Sequence, residues 1–223
     1  SAWADIARRI AHENKNPLTP IQLSAERLKR KYGGQIHTDK HVFDQCTDTI
    51  IRQVGDIGRM VDEFSSFARM PKAIPEPQEL ASIVREATVL QRVSSSDIDI
   101  ELDVSHGEFV FPFDRRLITQ AITNLVKNSL VHAFEPQDRG QIRLSARERD
   151  GLIHLTYSDN GKGMTAKVRR SVFRPGFTTK KRGWGLGLSL ARRIAVQGHK
   201  GQLEVFQSTP GKGTTFRLAL PMP

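Results

Sequence analysis

The sequence predicts an α+β chain in two parts. An antiparallel helical hairpin that dimerises into a four-helix bundle comes first, and a two-layer α/β sandwich follows it. Three observations predict this. Apolar residues recur at steps of three and four up to residue 70. The proline-rich run Pro71-Lys72-Ala73-Ile74-Pro75-Glu76-Pro77 then breaks the pattern, since helices stop before prolines. Beyond it, helical and alternating segments mix. The reading gives a helical domain at 1–70, a linker at 71–78 and a second domain at 79–223.

In the first part Ala7, Asn14, Ile21 and Leu28 recur every seven residues, with Ile10, Pro17 and Ser24 three later and Ala11, Leu18 and Ala25 beside them. That is one buried seam on a helix over 3–31, ended by Tyr32-Gly33-Gly34. Ile50, Val54, Ile57, Val61, Phe64 and Ala68 form a second heptad seam over 40–70. A loop near 33–39 joins the pair. Two helices hold too little core to stand alone, so a homodimer through residues 1–70 is expected. In the second part, 79–92 reads as a helix and Ile98, Ile100, Leu102 and Val104 alternate as a strand. A helix over 114–134 opens at Asp114. Strands near 141–148 and 152–158, a helix over 185–198 and strands near 202–207 and 214–220 complete a mixed sheet.

The single cysteine, Cys46, excludes an internal disulfide scaffold and a multi-cysteine zinc site. It suits a reducing, cytoplasmic setting. No apolar stretch reaches the ~18 residues of a spanning helix, so no membrane contact is expected for this stretch. Ser1-Ala2-Trp3 enters a helical pattern at once, which reads as a piece of a longer protein. The net charge of +10 is uneven. Residues 162–193 hold ten Lys/Arg and no acid. Such a field attracts nucleotide phosphates, nucleic acid or a membrane surface; a solvated basic face gives the same composition.

Four motifs in the second part narrow the choice. Asn124 and Asn128 lie four apart on the 114–134 helix and share a face. Paired carboxamides suit a hydrated magnesium ion, and His132, one turn on, can bond a phosphate or ribose. An ordinary polar helix face has the same spacing. Asp159-Asn160-Gly161-Lys162-Gly163-Met164 follows a strand directly. A carboxylate there can accept from the amine of adenine, and Gly161 and Gly163 permit close approach of a flat ligand; plain turns and calcium loops share the motif. Gly183-Trp184-Gly185-Leu186-Gly187-Leu188 precedes a helix, where free N–H groups suit phosphates. Ahead of it runs Phe173-Arg174-Pro175-Gly176-Phe177-Thr178-Thr179-Lys180, aromatic, basic and mobile-looking. Gly211-Lys212-Gly213-Thr214-Thr215-Phe216 opens the last strand.

In order and spacing these elements resemble the N, G1, F and G2 boxes of the histidine-kinase ATPase domain, a Bergerat-type (GHKL) fold shared with gyrase, Hsp90 and MutL. The resemblance implies ATP and Mg2+ as cofactors. It assigns Asn124 and Asn128 to Mg2+ and phosphate, and Asp159 to adenine. Gly161 and Gly163 shape that pocket. Residues 173–184 become a short ATP lid, including Phe173, Phe177, Thr178, Thr179 and Lys180. Gly185, Leu186, Gly187 and Leu188 lie over the phosphates, and Thr214 supports the adenine contact through water. Lys127, His132 and the basic lid supply positive charge.

The first helix carries His12-Glu13-Asn14-Lys15-Asn16-Pro17-Leu18. A zinc motif H-E-x-x-H fails because position 16 is Asn. The heptad places His12 outward, one turn from Asn16. Pro17 and Pro20 each remove a helical N–H and bend the helix. A histidine beside a carboxylate is a plausible nucleophile: Glu13 can take the ring proton while Nε2 attacks phosphorus. An isolated surface histidine is usually only solvated. The stretch resembles the H-box of a HisKA dimerisation domain, which implies a phosphorylated His12, Glu13 as base, and Asn16 positioning water during hydrolysis of a phosphorylated regulator.

The segments 5–11, 20–28 and 58–70 resemble nitrogen-regulation NtrY-type sensor kinases; from Ser129 onward that subgroup likeness is looser. The implied function is autophosphorylation of His12 by ATP and phosphotransfer to an aspartate of a response-regulator receiver domain, with phosphatase activity on the phosphorylated regulator. The parent kinase would sit in the inner membrane. Asn14 departs from the Ile, Leu or Phe of the family at an inward position, where a buried Asn fixes register at a cost in stability. A kinase-impaired, phosphatase-biased or engineered variant of the same family, and a switch ATPase without histidine phosphorylation, are the alternatives. A nucleic-acid-binding module lacks a helix-turn-helix or an aromatic–basic platform in this sequence.

Overall fold

The computed structural model describes residues 2–68, 70–94, 97–104, 109–135, 139–179 and 185–222, with side chains outside 2–15 and 90–94. The chain divides into two compact units, Ser1–Met70 and Pro71–Pro223.

The first unit is a hairpin of α1 (Ala2–Tyr32) and α2 (Lys40–Ala68). α1 continues through Pro17 and Pro20, although each ring removes an amide donor. It ends where the Gly33 amide returns to Lys29 O at 3.0 Å. A Cβ at Gly33 would lie 2.5 Å from that oxygen. Lys29, Arg30 and Lys31 in the last turn suit the negative end of the helix dipole. Lys29 also pairs with Asp48 of α2. Ala25 and Val54 are buried, and buried Thr47 turns its hydroxyl to Phe43 O at 2.8 Å. Ile21, Leu28, Ile50 and Ile57 of the two expected seams stay exposed. One hairpin covers only the side of each helix that faces the other.

The second unit holds a five-stranded sheet in the order β2-β4-β5-β7-β6. These strands are β2 (Ile98–Asp103), β4 (Gly140–Arg149), β5 (Leu152–Asp159), β6 (Gln202–Ser208) and β7 (Thr214–Pro221). β2 pairs parallel with β4, and all other pairs are antiparallel. The helices α3 (Leu80–Ser94), α4 (Arg115–His132) and α6 (Gly187–Arg193) form the second layer. Alternation decides what faces them: in β5, Ile153, Leu155 and Tyr157 are buried between half-buried neighbours. Ile142, Leu144, Phe216 and Leu218 join them, against Ile83, Ile118, Ile122 and Leu125 of the helices. Withdrawing each such side chain from water contributes about 1.5–3 kcal/mol. α6 passes into one π-helical turn, Ile194–Gly198.

The structure corrects the linker expected over 71–78. Glu76–Glu79 is a strand, β1, antiparallel to β3 (Val110–Phe113), with Pro77 opposite Pro112. Prolines in four-residue strands argue against a strand by sequence, because each lacks a ladder donor. A ribbon of only two strands tolerates them. Phe111 and Phe113 anchor it, with ring centroids 4.9 Å apart. The helix α5 (Ala166–Ser171), capped by Thr165, was equally unmarked. Its Lys167, Arg169 and Arg170 leave no apolar period.

Asp114 organises the start of α4. Its Oδ1 accepts from the Leu117 amide at 3.1 Å, and its Oδ2 from the Ile74 amide at 2.9 Å. Its own amide donates to His199 Nε2 at 2.9 Å, while His199 Nδ1 donates to Ile194 O at 2.9 Å. Burial opposes ionisation, but the amides of Ile74 and Leu117 and the Arg116 guanidinium outweigh it and hold the carboxyl below its ordinary value. The stabilisation from ionised Asp114 is therefore complete above the ordinary value of 3.8 and is lost as pH falls through the lower folded-state value. Asp114→Ala should destabilise this unit by about 1–2 kcal/mol at pH 7, read from guanidinium unfolding. The deficit should shrink in strong acid. An unchanged midpoint at pH 7 would remove the cap from the account.

Candidate nucleotide site

α4 supplies one wall. Leu117, Ile118, Ala121, Ile122, Leu125, Val126 and Ser129 face the core. Helical spacing then brings Asn124, Asn128 and His132 to a half-buried flank and leaves Lys127 exposed. The Asn124 side-chain amide donates to Gly187 O at 3.1 Å, tying α4 to the first residue of α6. His132 Nδ1 lies 3.2 Å from Thr179 Oγ1. Among the described residues no group of three His, Cys, Asp or Glu could hold a metal ion. The donor set fits an Mg2+ ion carried mostly by phosphate and water, with Asn128 and Asn124 offering carboxamide oxygens.

The end of β5 supplies the floor. Asp159 is 7% exposed. The Ser129 hydroxyl donates to its Oδ2 at 2.7 Å, and the Gly161 amide to its Oδ1 at 3.0 Å. Burial pushes the carboxyl above its ordinary value, and the Ser129 hydroxyl and the backbone amides of Gly161 and Thr214 oppose the rise. Gly161 lies against the end of α4, where a Cβ would come 2.5 Å from the Ala133 Cβ. Gly163 has φ +66°, and a Cβ there would stand 2.0 Å from Thr209 O. The Gly211 amide donates to Lys162 O at 2.8 Å, and the Met164 amide to Ser208 Oγ at 2.8 Å. Ser208 and Thr214 hydroxyls meet at 2.9 Å. Asp159, Gly161, Gly163 and Thr214 thus share one corner.

Of the expected lid at 173–184, residues 173–179 are described. Lys180 lies outside the described residues. The Phe173 and Phe216 rings meet edge to face, centroids 6.2 Å apart, and the Arg192 guanidinium lies over the Phe173 ring at 5.2 Å. The Gly176 amide donates to Gly185 O at 3.2 Å. Gly185 has φ +62°, and a Cβ would meet Phe177 O at 2.2 Å. These contacts fix where the segment leaves and rejoins the domain. Thr178 is half-buried and Thr179 exposed. Leu186 and Leu188 are buried and seat the start of α6, while Gly187 faces Asn124.

In the other unit, His12 and Glu13 lie on the helical backbone of α1, with side chains outside the described set. Asn16 is exposed. Sequence reasoning missed Ser129 and Ser208, because their partners lie 30 and 6 residues away and neither breaks a pattern. It also missed Asn160, whose Oδ1 accepts from the Gln141 amide at 2.7 Å and sews the corner to β4.

The corner yields a paired test. Gly211 and Gly213 both have positive φ, +77° and +86°, but only at Gly213 would a Cβ strike a neighbour, Asp159 O at 1.9 Å. Both alanine variants should lose about 1–2 kcal/mol to backbone strain. Gly213→Ala should lose about 1–3 kcal/mol more and distort the Asp159 corner. Equal unfolding midpoints for the two variants would contradict the tight packing described here.

Comparison with known proteins fits this geometry. Residues 113–223 match the family described as histidine kinase-, DNA gyrase B-, and HSP90-like ATPase, and residues 2–72 match the His Kinase A (phospho-acceptor) domain. Nitrogen regulation protein NtrY of Azorhizobium caulinodans is 49% identical over 99% of the chain, through and beyond Ser129. The chain spans 29% of that relative's length. Among solved structures, full-length ShkA in complex with AMPPNP has TM-score 0.79 at 20% identity, covering 98% of this chain and 46% of that one. Histidine kinase ThkA in complex with response regulator protein TrrA has TM-score 0.68 at 21% identity, covering 98% of this chain and 61% of that one. With a phospho-acceptor hairpin followed by a GHKL-type ATPase fold, and with almost the whole of its own length matched by a relative of that kind, the chain belongs to the sensor histidine kinases.

Proposed function

We propose that this chain is a catalytic core that moves the γ-phosphoryl group of ATP to His12 and then to an aspartate of a response-regulator receiver domain. The observation that carries the reading is the Asp159 corner. A nearly buried acceptor at a strand end, floored by glycines and walled by Asn124, Asn128 and His132, suits an adenine nucleotide. The presence of AMPPNP in the ShkA structure and of a regulator in the ThkA structure supports the two partners. Homodimerisation through residues 1–70 is supported by the exposed Ile21, Leu28, Ile50 and Ile57, which need a cover.

In the proposed step His12 Nε2 forms a bond to the γ-phosphorus as the bond to the bridging oxygen breaks, and ADP leaves. Glu13 accepts the proton from the other ring nitrogen. Bound Mg2+ would neutralise phosphate charge. Asn124 and Asn128 orient that end, His132 and Lys127 add positive character, and Thr178, Thr179 and Lys180 lie on the segment expected to cover it. Such transfer depends on alignment and charge more than on covalent help. Exposed Asn16 suits a second activity, positioning water on a phosphorylated regulator.

Incubation with γ-labelled ATP and Mg2+ should leave label on the chain that is lost in acid and kept in base. His12→Gln should abolish it; label retained on that variant would exclude His12 as acceptor. Because burial raises the Asp159 carboxyl, nucleotide affinity should weaken as pH falls, beginning above the ordinary carboxylate value of 3.8. The same group favours the folded state most when protonated, so its effect on unfolding runs opposite to that of Asp114. Asp159→Asn should bind weakly with that pH dependence removed, and an unaltered profile would detach Asp159 from the base.

A further inference from the structure

Ser129 sits inside the second unit, fully buried, one residue beyond Asn128 on α4. A helical serine ordinarily turns its hydroxyl to a carbonyl one turn back. Here the proton goes to Asp159 Oδ2 at 2.7 Å, across to a different element. A hydroxyl has one proton and two lone pairs, so with that proton committed the Ser129 oxygen can only accept. A donor is at hand. The Tyr157 phenol is completely buried two residues before Asp159 and has no hydrogen-bond partner of good geometry among the described residues. Two residues apart on β5, its side chain and that of Asp159 share the buried face of the strand.

We propose that Ser129, backed by the Tyr157 phenol, is a positioning residue that holds the Asp159 carboxylate in the one orientation that reads an exocyclic amine. The inference rests on the reading of Asp159 as the adenine acceptor. Ser129 touches no nucleotide in this account and acts through the carboxylate. Two oxygens on a rotatable carboxylate have no intrinsic preference for which one meets the base. The hydroxyl at Oδ2 and the Gly161 amide at Oδ1 set the plane of the group. The lone pairs that remain then point in fixed directions. Removing the hydroxyl leaves a buried oxygen without its short partner and frees the group to turn, and an aligned acceptor is what distinguishes an amine from a hydrogen. The hydroxyl also links the helix of Asn124 and Asn128 to the residue that reads the base.

The test is equilibrium dialysis of the full chain with ATP and with purine riboside triphosphate, which carries hydrogen in place of the 6-amino group. The wild-type chain should prefer ATP by about tenfold. Ser129→Ala keeps the helix and should reduce that preference to about twofold, mainly through weaker ATP binding. Tyr157→Phe leaves α4 untouched and should give an intermediate ratio. Two results would overturn the inference: both variants retaining the wild-type ratio, or Ser129→Ala weakening the two nucleotides equally, as a purely structural role would. A wild-type chain that binds both nucleotides alike would instead overturn the adenine reading, and the inference with it.

Discussion

The second unit depends on keeping one carboxylate nearly buried and still ionisable. Desolvation works against Asp159, and an isolated charge in that position would be costly. Two hydrogen bonds from separate pieces of chain offset the cost, a hydroxyl from α4 and an amide from the glycine loop, and the Thr214 backbone amide of β7 acts in the same direction. The arrangement explains why this corner needs its glycines. With Gly161 against Ala133, Gly163 against Thr209 and Gly213 against Asp159 itself, backbones approach too closely for any Cβ. The loops converge so that their amides reach the carboxylate. A ligand amine would meet an acceptor already aligned, and little reorganisation would remain to be done on binding.

The helical unit follows a different logic. Its hairpin leaves apolar residues on both helices uncovered, and its proline-bearing first helix carries the imidazole proposed to receive the phosphoryl group. A nucleophile that must accept a group and then surrender it to a second protein is better placed on an outward helical face than in a pocket. The nucleotide chemistry needs the opposite, a site shielded from water. Dividing the tasks between two units meets both requirements. The Asp114 cap holds the start of the connecting segment to α4, because Ile74 is anchored by the same carboxylate that begins that helix.

Long periodic elements were legible in the sequence because burial imposes their period. α4 and the strands β4, β5, β6 and β7 have apolar residues at the spacing their packing demands, and the seams of α1 and α2 repeat at helical spacing. β1 and β3 were not legible, since Pro77 and Pro112 argue against strands that only a two-stranded ribbon tolerates. α5 was hidden by its basic sequence. At the candidate site, residues with a special chemical or conformational signature stood out: Asp159 after a strand, the glycines around it, and Asn124 and Asn128 one turn apart. Ser129 and Asn160 did not. Their importance lies in a partner brought near by the sheet, which no local pattern encodes.

The central claim is that the Asp159 corner holds an adenine nucleotide. Isothermal titration calorimetry of the intact chain with an unhydrolysable ATP analogue and Mg2+ tests it most directly. The account predicts saturable heat with one nucleotide per chain, and markedly weaker binding by Asp159→Asn. Absence of heat from the wild-type chain, or equal binding by the variant, would contradict it.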